Sequence, residues 1–153
     1  MNNREILELC IEQAKSSTCG RSKCGAIIID DRGNVIGRGY NSPANSESPR
    51  CHVKKSCYDS KVTDKTCCMH AEQRAIMDTL QNNSEKITGA TLYFVRLDEN
   101  DTAVQSSKPY CTICSKMALD SGIKYFALFH DLLNPTLYET QNYNNLSYAY
   151  TQE

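Results

Sequence analysis

Two short clusters carry the chemistry available to this sequence: His70-Ala71-Glu72 and Pro109-Tyr110-Cys111-Thr112-Ile113-Cys114. Imidazole and thiolate are the preferred ligands of zinc. Cys111 and Cys114 stand three apart, so on the first turn of a helix both sulfurs point at one spot. A helix N-terminus at that place also favours thiolate charge. With His70 they make three ligands, and a zinc ion held by three protein groups keeps a fourth tetrahedral position for water. Zinc lowers the pKa of such a water to about 7 and makes hydroxide available at neutral pH. Glu72, two residues from His70, is the carboxylate that can take the water's proton without ligating the metal and hand it to a leaving amine. The expected chemistry is hydrolysis by zinc hydroxide, with His70, Cys111 and Cys114 as ligands and Glu72 as the catalytic proton shuttle.

Neither cluster decides this alone. A Cys-x-x-Cys pair serves zinc knuckles and redox couples as well as catalytic sites, and a single His-x-Glu arises readily by chance. Their conjunction, each opening a predicted helix, matches the H-x-E…P-C-x-x-C pattern of zinc-dependent nucleobase deaminases.

Positioning these side chains requires a sheet with helices on its faces. Residues 4–16 place Ile6, Leu9, Cys10, Gln13 and Ala14 near one helical face, ended by Ser16-Ser17-Thr18 and Gly20. Residues 25–30 form an apolar, β-branched run, residues 31–34 a turn, and residues 35–40 a second strand, which together read as an antiparallel hairpin. Periodicity then vanishes from Ser42 to Thr66, a length of loop that is unusual in a compact domain. Cys68 to about Leu80 favours helix, with Ala71, Ala75, Ile76 and Leu80 on one face. Residues 90–95 read as a third strand, 98–108 as a polar loop, 111–121 as a helix stopped by Gly122, and 123–129 as a fourth strand. The Tyr- and Asn-rich tail from Asn134 shows no clear period and fits a packed helix or an edge element equally. The strand-helix-strand unit from Leu92 to Leu128 implies a parallel pair, so the expected fold class is α/β, a single domain over residues 1–153.

The 153 residues are 40% apolar and 23% charged, with 17 Lys+Arg against 18 Asp+Glu. Such a balance lacks the broad positive field that grips long nucleic acid. The segment Met1 to Ile6 has no apolar core of signal-peptide length, and no stretch approaches the roughly 20 apolar residues of a membrane span. The cytoplasm is the expected compartment. Nine cysteines in such a chain read better as metal ligands than as a disulfide framework.

From about Ile6 to His130 the chain resembles the cytidine/deoxycytidylate deaminase superfamily, in particular its His-ligand branch that includes deoxycytidylate deaminases. The resemblance is carried by Lys23-Cys24-Gly25-Ala26-Ile27-Ile28, Gly39-Tyr40-Asn41-Ser42-Pro43, His70-Ala71-Glu72-Gln73-Arg74-Ala75-Ile76, Gly89-Ala90-Thr91-Leu92-Tyr93 and Ser121-Gly122-Ile123-Lys124. It implies a three-layer α/β/α fold with a mixed central sheet, one catalytic Zn2+ and a small-molecule cytosine nucleoside or nucleotide as substrate. It implies self-association as a homo-oligomer. It also implies that Asn41 hydrogen-bonds the base or sugar and that Ala71 lends backbone atoms to the pocket floor. Two features depart from the family pattern: Tyr110 separates Pro109 from the first Cys, and residues 97–108 lengthen the preceding connection. Both fall at the expected pocket mouth, where Tyr110 either stacks on a base or packs the loop.

Some deoxycytidylate deaminases carry a further, structural zinc. By resemblance Cys19 and Cys51, with Cys57 and either Cys67 or Cys68, would form a second closed site here; small buried thiols are the alternative reading. Two further functions stand beside the leading one. The same chemistry on a polynucleotide base, a purine or another amine would use a groove that Lys54, Lys55, Lys61 and Lys65 could line. A non-enzymatic zinc module would have no need of a non-ligating Glu72.

Overall fold

A computed structural model describes residues 1–46 and 68–150. Its strands are β1 (Lys23–Ile29), β2 (Val35–Tyr40), β3 (Ser42–Pro43), β4 (Cys68–Met69), β5 (Thr91–Leu97), β6 (Ala103–Val104), β7 (Tyr125–Leu128) and β8 (Thr136–Glu139). Its α-helices are α1 (Asn3–Lys15), α2 (Ala71–Asn82), α3 (Thr112–Ser121) and α4 (Thr140–Tyr148).

The main sheet runs β2-β1-β5-β7-β8, with β6 extending β5. β1 pairs antiparallel with both β2 and β5. The β5–β7 pair is parallel, as a crossover through α3 requires. β8 closes the far edge antiparallel to β7. The sheet is therefore mixed, and the three-layer α/β/α fold stands.

Strand alternation sorts the core into two. Ile27, Ile29, Val95 and Leu97 face α1 and meet Ile6, Cys10 and Ala14. Ala26, Ile28, Leu92, Phe94, Phe126 and Leu128 face the other way, toward Ala71, Ala75, Ile76, Ala118 and Tyr143. Helix α2 lies flush on β2 because two glycines of that strand make room. A Cβ at Gly37 would come within 2.6 Å of the Ala75 carbonyl oxygen, and one at Gly39 within 2.5 Å of the Ala75 amide nitrogen.

Several expected boundaries shift. Cys68 and Met69 are extended, not helical: they pair with Pro43 and Ser42. The helix starts after His70, whose extended backbone (φ −73°, ψ 149°) and N–H bond to Gln73 Oε1 at 3.0 Å mark an N-terminal cap. Within α2 the inward residue near the end is Thr79, not Leu80, which is 45% exposed. The polar loop at residues 98–108 holds the short β6, paired to Arg96 and Leu97. The tail supplies both of its readings, the edge strand β8 and the packed helix α4. Most of the long loop expected from Ser42 lies outside the described residues, with Cys51, Cys57, Cys67 and the four lysines. Among the described residues no helix is long and apolar enough to cross a membrane.

Candidate metal centre

The two chemical clusters meet at the N-terminal ends of α2 and α3. His70 precedes the first residue of α2, and Glu72 sits in its first turn, 5% exposed. Cys111 caps α3, its sulfur accepting from the Cys114 amide at 3.4 Å, and Cys114 lies one turn inside. Because both helices follow sheet strands and point their first turns the same way, residues forty apart in sequence converge.

His70 Nδ1 is 3.3 Å from Cys111 Sγ and 3.2 Å from Cys114 Sγ, and the two sulfurs are 2.7 Å apart. Potential ligand atoms of His70, Glu72, Cys111 and Cys114 all lie within 4.8 Å of one another. One imidazole and two sulfurs in so small a triangle suit zinc, which takes Cys at about 2.3 Å and His at about 2.0 Å. The donor chemistry and the spacing fit the ion.

The electrostatics are those of a shared proton store. The thiol of Cys114 beside it, and then His70, draw Cys111 down to about 5, so that it is the thiolate of the pair. Burial holds Cys114 well above the usual thiol range. The bond to Cys111 raises His70 to about 9 against the opposing effect of its burial. Burial, reinforced by the charge on Cys111, pushes Glu72 up to about 7, with His70 pulling the other way. A carboxyl near 7 exchanges protons at neutral pH, the property a general acid–base group needs.

Ala71 is buried between these residues, its carbonyl oxygen against Gly39. Asn41 is brought to the same end of the sheet, but most of its amide is engaged by the protein. Its Oδ1 accepts from the Cys24 amide at 2.8 Å and lies 2.6 Å from Ser17 Oγ, while Nδ2 donates to the Ser22 carbonyl at 2.8 Å. Arg74, on α2, secures this corner by donating to Ser42 Oγ and to the Tyr40 and Pro43 carbonyls at 3.3 and 2.8 Å. Tyr110 is half exposed, its ring 5.6 Å from that of Tyr150. Burial raises its phenol, and the charges of Glu72, Cys24, Cys111 and Cys114 add to the effect. The mouth residue thus lies beside the centre.

The sequence reading missed two contributors. Cys24 on β1 is buried, its thiol raised to about 12 by burial first and by Glu72 second. Helix α4 backs the ligand helix through a 2.9 Å bond from Ser115 Oγ, one residue past Cys114, to Asn144 Oδ1. Its buried face is Thr140, Tyr143, Asn144 and Ser147, regular at helical spacing but polar, so an apolar pattern does not find it. Of the proposed second metal group, Cys19 and Cys68 have their thiols in hydrogen-bonding contact; Cys51, Cys57 and Cys67 lie outside the described residues.

Comparison with known proteins agrees with this geometry. A family model described as the cytidine and deoxycytidylate deaminase zinc-binding region matches residues 1–129. The deoxycytidylate deaminase of Mycobacterium phage D29 is 32% identical over 128 residues, 78% of this chain and 87% of that one. Among solved structures, dCMP deaminase from cyanophage S-TIM5 in complex with dCMP and dUMP superposes with a TM-score of 0.56 at 23% identity, over 78% of this chain and 74% of that one. Cytidine deaminase from Burkholderia pseudomallei gives 0.61 at 15% identity, over 94% and 96%.

Proposed function

Since the chain belongs to the cytidine and deoxycytidylate deaminase zinc-binding family and is thereby a hydrolytic deaminase, we propose that it removes the exocyclic amine of a deoxycytidylate-like cytosine nucleotide. The observation that carries this reading is the triangle of His70, Cys111 and Cys114 with the buried Glu72 carboxyl within 4.8 Å.

His70, Cys111 and Cys114 would hold the zinc, and Glu72 would stand beside it as a non-ligating group. When bound, zinc supplies the Lewis acidity that makes water a nucleophile near neutral pH. Glu72, poised near 7, accepts the proton that water loses and delivers it to the ring nitrogen. The water oxygen bonds to the amine-bearing ring carbon, the C–N bond breaks, and the amine leaves as ammonia with protons relayed by Glu72. A carbonyl stands where the amine was. Ala71 contributes backbone to the pocket floor. Asn41, with one of its two amide hydrogens committed to Ser22, has the other to offer to base or sugar. Tyr110 packs at the mouth.

The substrate class draws support from the phage D29 relative, named a deoxycytidylate deaminase, and from the cyanophage enzyme seen with dCMP and dUMP. We take the enzyme to act in the cytoplasm as a homo-oligomer, on the strength of composition and family resemblance. A second, structural zinc on Cys19, Cys51, Cys57 and Cys67 or Cys68 is supported by the Cys19–Cys68 contact. One zinc per chain, unchanged in Cys51→Ser, would end that part.

A panel of amine-bearing bases, nucleosides, nucleotides and short oligonucleotides, followed by ammonia release, tests the whole. Turnover is expected with a cytosine nucleotide. Release from oligonucleotides or purines alone would transfer the activity to another substrate, and release from none would end the reading.

A further inference from the structure

The buried hydroxyl of Tyr143 has no role in holding the fold together. The residue is 2% exposed, its ring stacked on Phe126 at 3.9 Å and set edge-on to Tyr138 at 6.0 Å. Its hydroxyl makes no hydrogen bond among the described residues. Nor is it sealed in: the only completely enclosed side-chain oxygen or nitrogen without a partner there is Thr18 Oγ1. The Tyr143 oxygen therefore opens onto space. Native proteins pair such groups, so an unspent donor on a rigid, stacked ring calls for a partner from outside the fold.

Where it opens follows from its neighbours. The next residue, Asn144, is bonded to Ser115 on the ligand helix, which fixes the position of α4 against the metal centre. The phenol is held well above its usual range by burial first, and then by the charges of Glu72, Cys111, Cys114 and Tyr110. Those are groups of the candidate site and its mouth. On the outer side Tyr150, two residues past α4, lies at 5.6 Å and 46° to Tyr110. The segment supplying Tyr143 and Tyr150 falls beyond the family match, which ends at residue 129.

We propose that Tyr143 is a substrate-binding residue whose phenolic O–H donates to an acceptor oxygen of the bound pyrimidine nucleotide, with Tyr150 closing the pocket against Tyr110. This rests on the deaminase reading. A cytosine nucleotide offers three such acceptors: the ring carbonyl, the sugar oxygens and the phosphate. A phenol kept neutral beside a carboxyl and thiolates is a donor at any of them. Aromatic rings at the mouth add a surface for the flat base without charge.

The test uses the zinc-loaded full chain and Tyr143→Phe, which keeps the ring and its stack on Phe126. KM for deoxycytidylate is expected to rise about tenfold, as loss of one hydrogen bond to a polar ligand implies, with kcat within about threefold. Zinc content and Tm should not move, because the hydroxyl has no partner in the fold. Calorimetric affinity for deoxyuridylate, a readout independent of turnover, should weaken when the product retains the same acceptor. Cytosine, deoxycytidine and deoxycytidylate as substrates distinguish the acceptors: a penalty shared by all three marks the ring carbonyl, and one confined to the last marks the phosphate. Tyr150→Ala should raise KM with zinc retained. An active parent whose Tyr143→Phe variant keeps both KM and deoxyuridylate affinity within twofold would overturn this inference while leaving the deaminase reading intact. A parent inactive on the entire panel would overturn both.

Discussion

Gly39 of β2 lies directly beneath Ala71, the residue between the metal-seeking His70 and the buried Glu72, and a Cβ at Gly39 would collide with the Ala71 carbonyl oxygen. The position of the catalytic turn is thus set by an absent side chain. Gly39→Ala must push the first turn of α2 off the sheet or shift β2. We expect a loss of about 1–3 kcal/mol, as overpacked cores show, and a larger fractional loss of ammonia release. Thermal unfolding and steady-state rates check this; an unchanged Tm together with an unchanged rate would mean that α2 is not seated by this contact.

Glu72 is the residue whose removal separates metal holding from chemistry. Glu72→Ala should reduce kcat by about 10²–10⁴, the usual contribution of a general acid–base group, while zinc content stays at the parent value. If the variant lost its zinc, Glu72 would be a ligand; if it kept full activity, another group would carry the proton.

Removing the metal, or a ligand to it, should act on stability as well as on rate. Zinc bound to the folded state alone stabilises that state by mass action. Chelator treatment should therefore lower Tm and abolish ammonia release, and added zinc should restore both. Cys111→Ser should leave the protein substoichiometric in zinc after dialysis. Indifference of both Tm and activity to chelation would refute a zinc centre here.

The turn between β1 and β2 predicts an acid-sensitive contribution to stability. Asp30 accepts from the Asn34 and Arg32 amides at 2.8 and 3.0 Å and from Asn34 Nδ2 at 3.3 Å. The Asn34 amide above all draws its carboxyl below the usual range. A folded-state pKa below the unfolded one means stability that is present above about 4, the ordinary Asp value, and is lost as pH falls through the lower folded value. Asp30→Asn should lower Tm by a few degrees at pH 7, and the difference from the parent should shrink on acidification. A difference that grew toward low pH would contradict the assignment.

The parts of this molecule legible in its sequence are those whose signals are local. The β-branched runs at Ile27 to Ile29 and Leu92 to Val95 announce buried strands, and the crossover from Leu92 to Leu128 dictates the parallel β5–β7 pair. The metal triangle is legible because few residue types bind zinc and their spacing fits helix starts. Leu80 was expected inside on spacing alone. The glycines of β2 leave too little depth for it, and Thr79, which bonds back to the Ala75 carbonyl at 2.9 Å, takes the inner place. The two-residue β3–β4 pairing forms only once distant segments meet, so no local pattern announces it. Helix α4 hid because its inward face is built of hydroxyls and amides that find partners only after folding, Ser115 for Asn144 and the Ile123 carbonyl for Thr140.

The Ser115–Asn144 bond also decides which end of the chain tolerates added mass. A fusion partner attached on the C-terminal side would load the helix that props the ligand-bearing turn, and its drag would reach the zinc sulfurs through a single hydroxyl. One attached ahead of Met1 meets only the solvent-facing capping turn of Asn2 and Glu5. Purification handles and reporter domains belong at the beginning of this chain.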